Sequence, residues 1–116
     1  MPSRPQVLLV DDAILLSELM VEILEDEGFA VTYAKNGPEA LRILSSGTSF
    51  NCVISDFSLP GCSGSDVVNA ALSVLPDACV VLASAHPRSE VGHVPDKVHY
   101  MGKPYHIEEL LVLMRQ

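Results

Sequence analysis

Val7-Leu8-Leu9-Val10-Asp11-Asp12 is the stretch on which the fold turns. Four apolar residues run without polar alternation and stop at two carboxylates. A strand reads this way when both of its faces are covered, as in a parallel sheet. The same kind of run recurs at Ala30–Ala34, Cys52–Ile54, Cys79–Ala83 and, less cleanly, Val98–Met101. Between these runs the period changes to that of a helix. In Ile14–Glu27, Leu16, Leu19, Met20, Ile23 and Leu24 form one apolar face, and Gly28 follows as a stop. Pro38–Ser46 carries Ala40, Leu41 and Leu44. Ser65–Leu75 carries Val68, Ala71, Leu72 and Leu75 before Pro76. His106–Met114 carries Ile107, Leu110, Leu111 and Met114.

The order is therefore strand, helix, strand, helix, strand, helix, strand, an uncertain crossover, strand, helix. Parallel strands need crossovers, and right-handed crossovers place helices on both faces. The expectation is an α/β fold with a doubly wound, five-stranded parallel sheet. The fourth crossover, 86–96, holds Pro87, Gly92 and Pro95, which are poor helix material. A short or irregular fourth helix is expected there.

The 116 residues fit one domain, and 48% hydrophobic content is enough for a core. The formal net charge of -8 argues against nucleic-acid binding, which needs clustered Lys and Arg. The run after Met1–Gln6 is too short for a secretory leader, and nothing approaches the ~20 apolar residues of a membrane span. A soluble cytoplasmic protein is expected. Cys52, Cys62 and Cys79 are odd in number and lack zinc or Cys-x-x-Cys spacing. Cys52 and Cys79 sit in apolar runs and read as inert core residues.

In an open α/β sheet the binding crevice lies beyond the carboxyl ends of the strands. Asp11 and Asp12 end the first strand, Asp56 the third, Ser84 the fourth and Lys103 the fifth. Taken singly, each has a plain reading: a helix cap, a turn, a loop serine, a surface lysine. Together they bring three carboxylates, a hydroxyl and an ammonium to one edge. Crowded carboxylates call for a hard divalent cation, and Mg²⁺ takes oxygen ligands. Metal and ammonium together can neutralise a phosphoryl group in transfer. A carboxylate can itself be the nucleophile and become an aspartyl-phosphate.

These residues resemble the receiver domains of two-component response regulators, chemotaxis-regulator-like in length. The matching stretches are Val7–Asp12, Ala34–Leu41, Ile54–Gly61 with Gly64, Leu82–Ala85 and Lys103-Pro104-Tyr105. They cover nearly the whole chain, read as one receiver domain over 1–116. The resemblance implies a flavodoxin-like sheet of order 2-1-3-4-5. It implies Asp56 as phosphoacceptor from a histidine kinase or histidine phosphotransfer protein. Mg²⁺ would be held by Asp12 directly, Asp11 mainly through water, Asp56, and the backbone carbonyl of Ser58. Lys103 would pair with phosphoryl oxygens. Ser84 would be the switch hydroxyl and Tyr100 the switch aromatic, relaying the change to a downstream protein or fused output domain. Ser58 and His86 lie where the family tunes phosphoryl lifetime. His93, His99 and His106 lack metal spacing. The shortened, Pro-containing fourth crossover departs from the family in its usual output and dimer region, so the expectation leans toward a monomer with an atypical output face.

Three other readings use the same fold. A turnover phosphatase would place a second acid beside the nucleophile and carry a cap. Here Asp56-Phe57-Ser58 follows, with no length for a cap. Against a pseudo-receiver stands the full set Asp11, Asp12, Asp56, Ser84 and Lys103; the altered fourth crossover argues mildly for one. A flavin module would offer neutral donors where Asp11 and Asp12 stand. The expectation is a phosphoacceptor with at most self-phosphorylation and self-dephosphorylation chemistry, not an enzyme with a diffusible substrate.

Overall fold

The computed structural model describes residues 4–87, 94–103 and 106–115. Five strands form one sheet: β1 (Gln6–Val10), β2 (Ala30–Ala34), β3 (Cys52–Asp56), β4 (Cys79–Ser84) and β5 (Val98–Gly102). All adjacent pairs are parallel, in the order β2-β1-β3-β4-β5. Among the described residues there are four helices: α1 (Ile14–Asp26), α2 (Gly37–Ser45), α3 (Gly64–Val74) and α4 (Ile107–Met114).

The unbroken apolar runs now have their physical reason. Alternate residues of each strand feed two separate cores. Leu8, Val10, Val53, Val80 and Leu82 pack with Ala40 and Leu44 of α2 and Val67, Val68 and Ala71 of α3. Val7, Leu9, Cys52, Ile54 and Val81 pack with Leu24 of α1 and Leu110 and Leu111 of α4. Each fully buried Leu or Val contributes about 1.5–3 kcal/mol of transfer free energy, so both faces stabilise the sheet and neither tolerates a polar stripe.

α2 and α3 begin where side chains cap them. Asn36 Oδ1 accepts the Glu39 N–H at 2.8 Å, with Pro38 in the first turn. Ser63 and Asp66 form a reciprocal capping box. α1 has no side-chain cap.

One helix face differs from its sequence reading. The periodicity puts Leu16 and Leu19 inward, yet they are 70% and 54% exposed. The face against the sheet is instead Ser17, Met20, Val21 and Leu24. The apolar arc of α1 is wider than the arc the core can cover, and packing chose one side of it. The expected short or irregular fourth helix falls largely on 88–93, outside the described residues.

Candidate functional site

The carboxyl ends of β1, β3, β4 and β5 meet at one edge of the sheet. Asp11 and Asp12 follow β1. Asp56 is the last residue of β3, Ser84 the last of β4, and Lys103 directly follows β5. Carboxylate oxygens of Asp11, Asp12 and Asp56 all lie within 4.8 Å of one another. Lys103 Nζ bridges two of them, 3.1 Å from Asp11 Oδ2 and 3.3 Å from Asp56 Oδ1.

The acids are not spent on capping. Ala13 is the N-cap of α1, and its own side chain makes no capping bond. Asp11 Oδ1 accepts the Ala13 N–H at 2.9 Å in a local turn, which aims its second oxygen at Lys103. The Asp11 backbone is held on both sides. Its N–H donates to the Ala34 carbonyl at 3.2 Å, and its carbonyl accepts the Tyr33 hydroxyl at 2.6 Å. Tyr33 is a supporting residue that the motif reading missed. Its only sequence signal is a polar-tipped aromatic one residue before the end of the neighbouring strand.

The electrostatics follow from crowding. Burial pushes the Asp56 carboxyl above the usual carboxylate range. Lys103 opposes that shift, and the charges of Asp11 and Asp12 add to it. Burial pulls the Lys103 ammonium down, but Asp11 and Asp56 more than reverse this, and its pKa ends above the ordinary lysine value. Three carboxylates against one ammonium leave an excess of two negative charges. All are hard oxygen donors, so the set fits a divalent cation such as Mg²⁺.

Ser84 is buried, and its Oγ accepts the His86 N–H at 2.9 Å. The Tyr100 hydroxyl donates to the carbonyl of the same His86. The two residues expected to act as a switch are thus joined through one peptide segment, a link the sequence spacing does not reveal. The His86 ring meets Phe57, the residue after Asp56, edge to face at 6.3 Å. Ser58 is exposed two residues beyond Asp56.

A family model, the response regulator receiver domain, matches residues 7–115. The chain belongs to the response regulator receiver family. It is similar to the response regulator receiver protein of Sinorhizobium medicae WSM419, with a TM-score of 0.88 at 28% identity over 97% of this chain and 93% of that one. It is also similar to the response regulator TrrA of Thermotoga maritima, solved in complex with Mg(2+)-BeF. There the TM-score is 0.83 at 29% identity, covering 96% of both chains. Among curated proteins it is 32% identical over 120 residues to the uncharacterized transcriptional regulatory protein YkoG of Bacillus subtilis (strain 168). That alignment covers 97% of this chain and 50% of the relative. With the sensory transduction protein RegX3 of Mycolicibacterium smegmatis the figures are 32% over 111 residues, 94% of this chain and 48% of the relative. The receiver therefore spans about half the length of these curated relatives. As a receiver of two-component response regulators it is a phosphorylatable signalling switch rather than a conventional enzyme, and its acidic pocket is of the kind in which receivers bind Mg²⁺. Among the described residues no helix is long and apolar enough to cross a membrane.

Proposed function

We propose that the chain, as one receiver domain over 1–116, accepts a phosphoryl group on Asp56 from a histidine kinase or histidine phosphotransfer protein. The observation that carries this is the Lys103 ammonium bridging Asp11 and Asp56 at the mouth of the parallel sheet. A carboxylate oxygen of Asp56 attacks the phosphorus. The P–N bond to the donor imidazole breaks, and its electron pair stays with the nitrogen. Lys103, already within reach of Asp56, neutralises phosphoryl oxygens as charge moves. Asp11, Asp12, Asp56 and the Ser58 backbone carbonyl would hold a Mg²⁺ ion, which would supply electrophilic charge to the phosphoryl group. The Ser84 hydroxyl leaves the His86 N–H for the phosphoryl group. That movement loosens the segment to which Tyr100 is tied, and passes the change to a downstream protein or a fused output domain. The same groups support slow self-phosphorylation from small donors and self-dephosphorylation. The receiver acts in the cytoplasm, as a monomer.

The test is the intact mass after incubation with acetyl phosphate. One phosphoryl group should be gained with Mg²⁺ and none when the metal is chelated. A gain that ignores Mg²⁺, or that maps away from Asp56, would overturn the proposal.

A protein donor must reach Asp56 past α1. Leu15, Leu16 and Leu19 are exposed on that helix. Leu16 and Leu19 line an apolar groove of about 450 Å³ that ends at Asp11 and Lys103. The donor's own helix is expected to seat there. Leu15→Glu should slow transfer from the protein donor by roughly 5- to 30-fold, the scale of a 1–2 kcal/mol interface contact. Uptake from acetyl phosphate should stay within about twofold of the native rate, since no group near the phosphorus changes. Equal losses with both donors would place the effect on the chemistry instead.

His86 should tune the lifetime of the phosphoryl group, because its ring packs against Phe57 beside the acceptor. In His86→Ala the hydrolysis rate, followed as loss of the phosphorylated mass, should change by at least about threefold. An unchanged lifetime would leave His86 with a packing role.

A further inference from the structure

Cys52 and Cys79 are the first residues of β3 and β4, and they are register partners. Partners in a sheet put their side chains on the same face. Here that face is the core under α1 and α4, where Cys52 is buried and Cys79 partly so. Adjacent strands run about 4.7–4.9 Å apart, inside the window of about 4.4–6.8 Å that a disulfide requires between Cα atoms.

The Cys79 thiol donates to the Leu113 carbonyl of α4 at 3.5 Å, beside its register partner Cys52. The neighbouring Cys52 thiol pulls the Cys79 pKa below its ordinary value despite partial burial, while Cys79 and burial push Cys52 up. Cys79 is partly exposed where Cys52 is buried, so it is the more accessible of the two thiols. It also lines an open cavity of about 620 Å³, together with Asn51, Asp77, His99 and Leu113. The third thiol, Cys62, lies against Gly37 at the start of α2, well apart from this pair.

A metal site does not account for the pair. Among the described residues only Asp11, Asp12 and Asp56 bring three ligand atoms of this kind together. From the register, the shared face and the cavity, we infer that Cys79 and Cys52 form a peroxide-reactive dithiol that closes to a cross-strand disulfide. The Cys79 thiolate attacks one oxygen of hydrogen peroxide, the O–O bond breaks, and a sulfenic acid forms as hydroxide leaves and takes up a proton. The Cys52 sulfur then attacks the Cys79 sulfur. The S–O bond breaks, the S–S bond forms, and water departs with the Cys52 proton. Two thiols and one peroxide become one disulfide and two waters. Thiol–disulfide exchange with a dithiol reductant reverses the modification. The site lies at the opposite end of β3 from Asp56, and it does not depend on the phosphoryl reading.

The experiment treats the purified chain with hydrogen peroxide, alkylates remaining thiols in denaturant, and maps the peptides. Native protein should lose two hydrogens, keep one alkylatable thiol at Cys62, and show a Cys52–Cys79 cross-linked peptide that dithiothreitol removes. Cys62→Ser should give the same bond. Cys52→Ser should stop at a Cys79 sulfenic acid trapped by dimedone, and Cys79→Ser should leave Cys52 unreacted. Three alkylatable thiols after treatment, oxidation confined to Cys62, or cross-links only between separate chains would each overturn the inference.

Discussion

Asp56→Asn should accept no phosphoryl group from acetyl phosphate or from a protein donor, and in metal-free buffer at neutral pH it should be more stable than the native chain. The first outcome follows from chemistry, because an amide oxygen cannot serve as the nucleophile. The second follows from charge. Asp56 is 12% exposed and sits among Asp11 and Asp12 with one ammonium to balance all three. Burial and those neighbours raise its pKa in the folded state. The folded chain therefore holds this proton more tightly than the unfolded chain does. Its stabilising contribution is complete below the unfolded carboxyl pKa and is lost as pH rises through the folded value. At neutral pH the ionised group is a net cost.

Asparagine keeps the shape and removes the charge. Like charges a few ångströms apart repel by about 1 to 4 kcal/mol between water and protein-surface dielectrics. Lys103 returns part of this, so the gain should be on the order of 1 kcal/mol, or a few °C in Tm. The advantage should shrink as the native carboxylate is protonated at acidic pH. It should also shrink on adding Mg²⁺, which stabilises the chain that binds it better. Thermal melts of both chains, at neutral and acidic pH with and without Mg²⁺, check each part. A less stable Asp56→Asn at neutral pH would mean that the Lys103 ion pair outweighs the repulsion.

Some of this was legible in the sequence, and the reason is local. Unbroken apolar runs mark strands covered on both faces, and the polar residue ending each run falls at one edge of a parallel sheet. Asp11, Asp12, Asp56, Ser84 and Lys103 could be found that way because each depends only on where its strand stops. What escaped depends on relations between elements. Leu16 and Leu19 belong to the same apolar arc as Leu24, and only packing decides which part of that arc meets the sheet. Tyr33 reaches the Asp11 carbonyl because β2 lies beside β1 in one register. His86 joins Ser84 to Tyr100 through backbone atoms, which residue identity does not encode. That Cys52 and Cys79 face each other is likewise a matter of register between β3 and β4, which neither residue's own neighbourhood encodes.

Gly64→Ala should cost about 2 kcal/mol of stability and slow phosphoryl uptake as well. Gly64 opens α3, and its backbone angle φ is not in the left-handed region, so conformation alone does not demand glycine. Space does. A Cβ there would overlap the Asp56 carbonyl oxygen and lie 2.6 Å from Phe57 Cα and 2.9 Å from the Asp56 carbonyl carbon. All three are backbone atoms, which cannot swing aside as a flexible side chain would. The Gly64 N–H also donates to the Phe57 carbonyl at 2.7 Å, so the helix start and the acceptor loop are joined where they touch. The methyl group must either lift the first turn of α3 away from its Ser63–Asp66 capping box or displace Asp56 from Lys103. Overpacking of this kind costs about 1–3 kcal/mol or more. The usual helix gain of Gly→Ala, about 1 kcal/mol, offsets only part of it. Urea unfolding should show the loss, with a fall of about 10 °C in Tm. A shift of the acceptor by even 1 Å should slow uptake by up to about 100-fold. Gly102→Ala is the control. That glycine has no positive φ and nothing within 4 Å of an added Cβ, so its substitution should be neutral or slightly stabilising. If the two substitutions cost the same, crowding against Asp56 is not what fixes glycine at position 64, and the approach of α3 to the acceptor strand is looser than the structure places it.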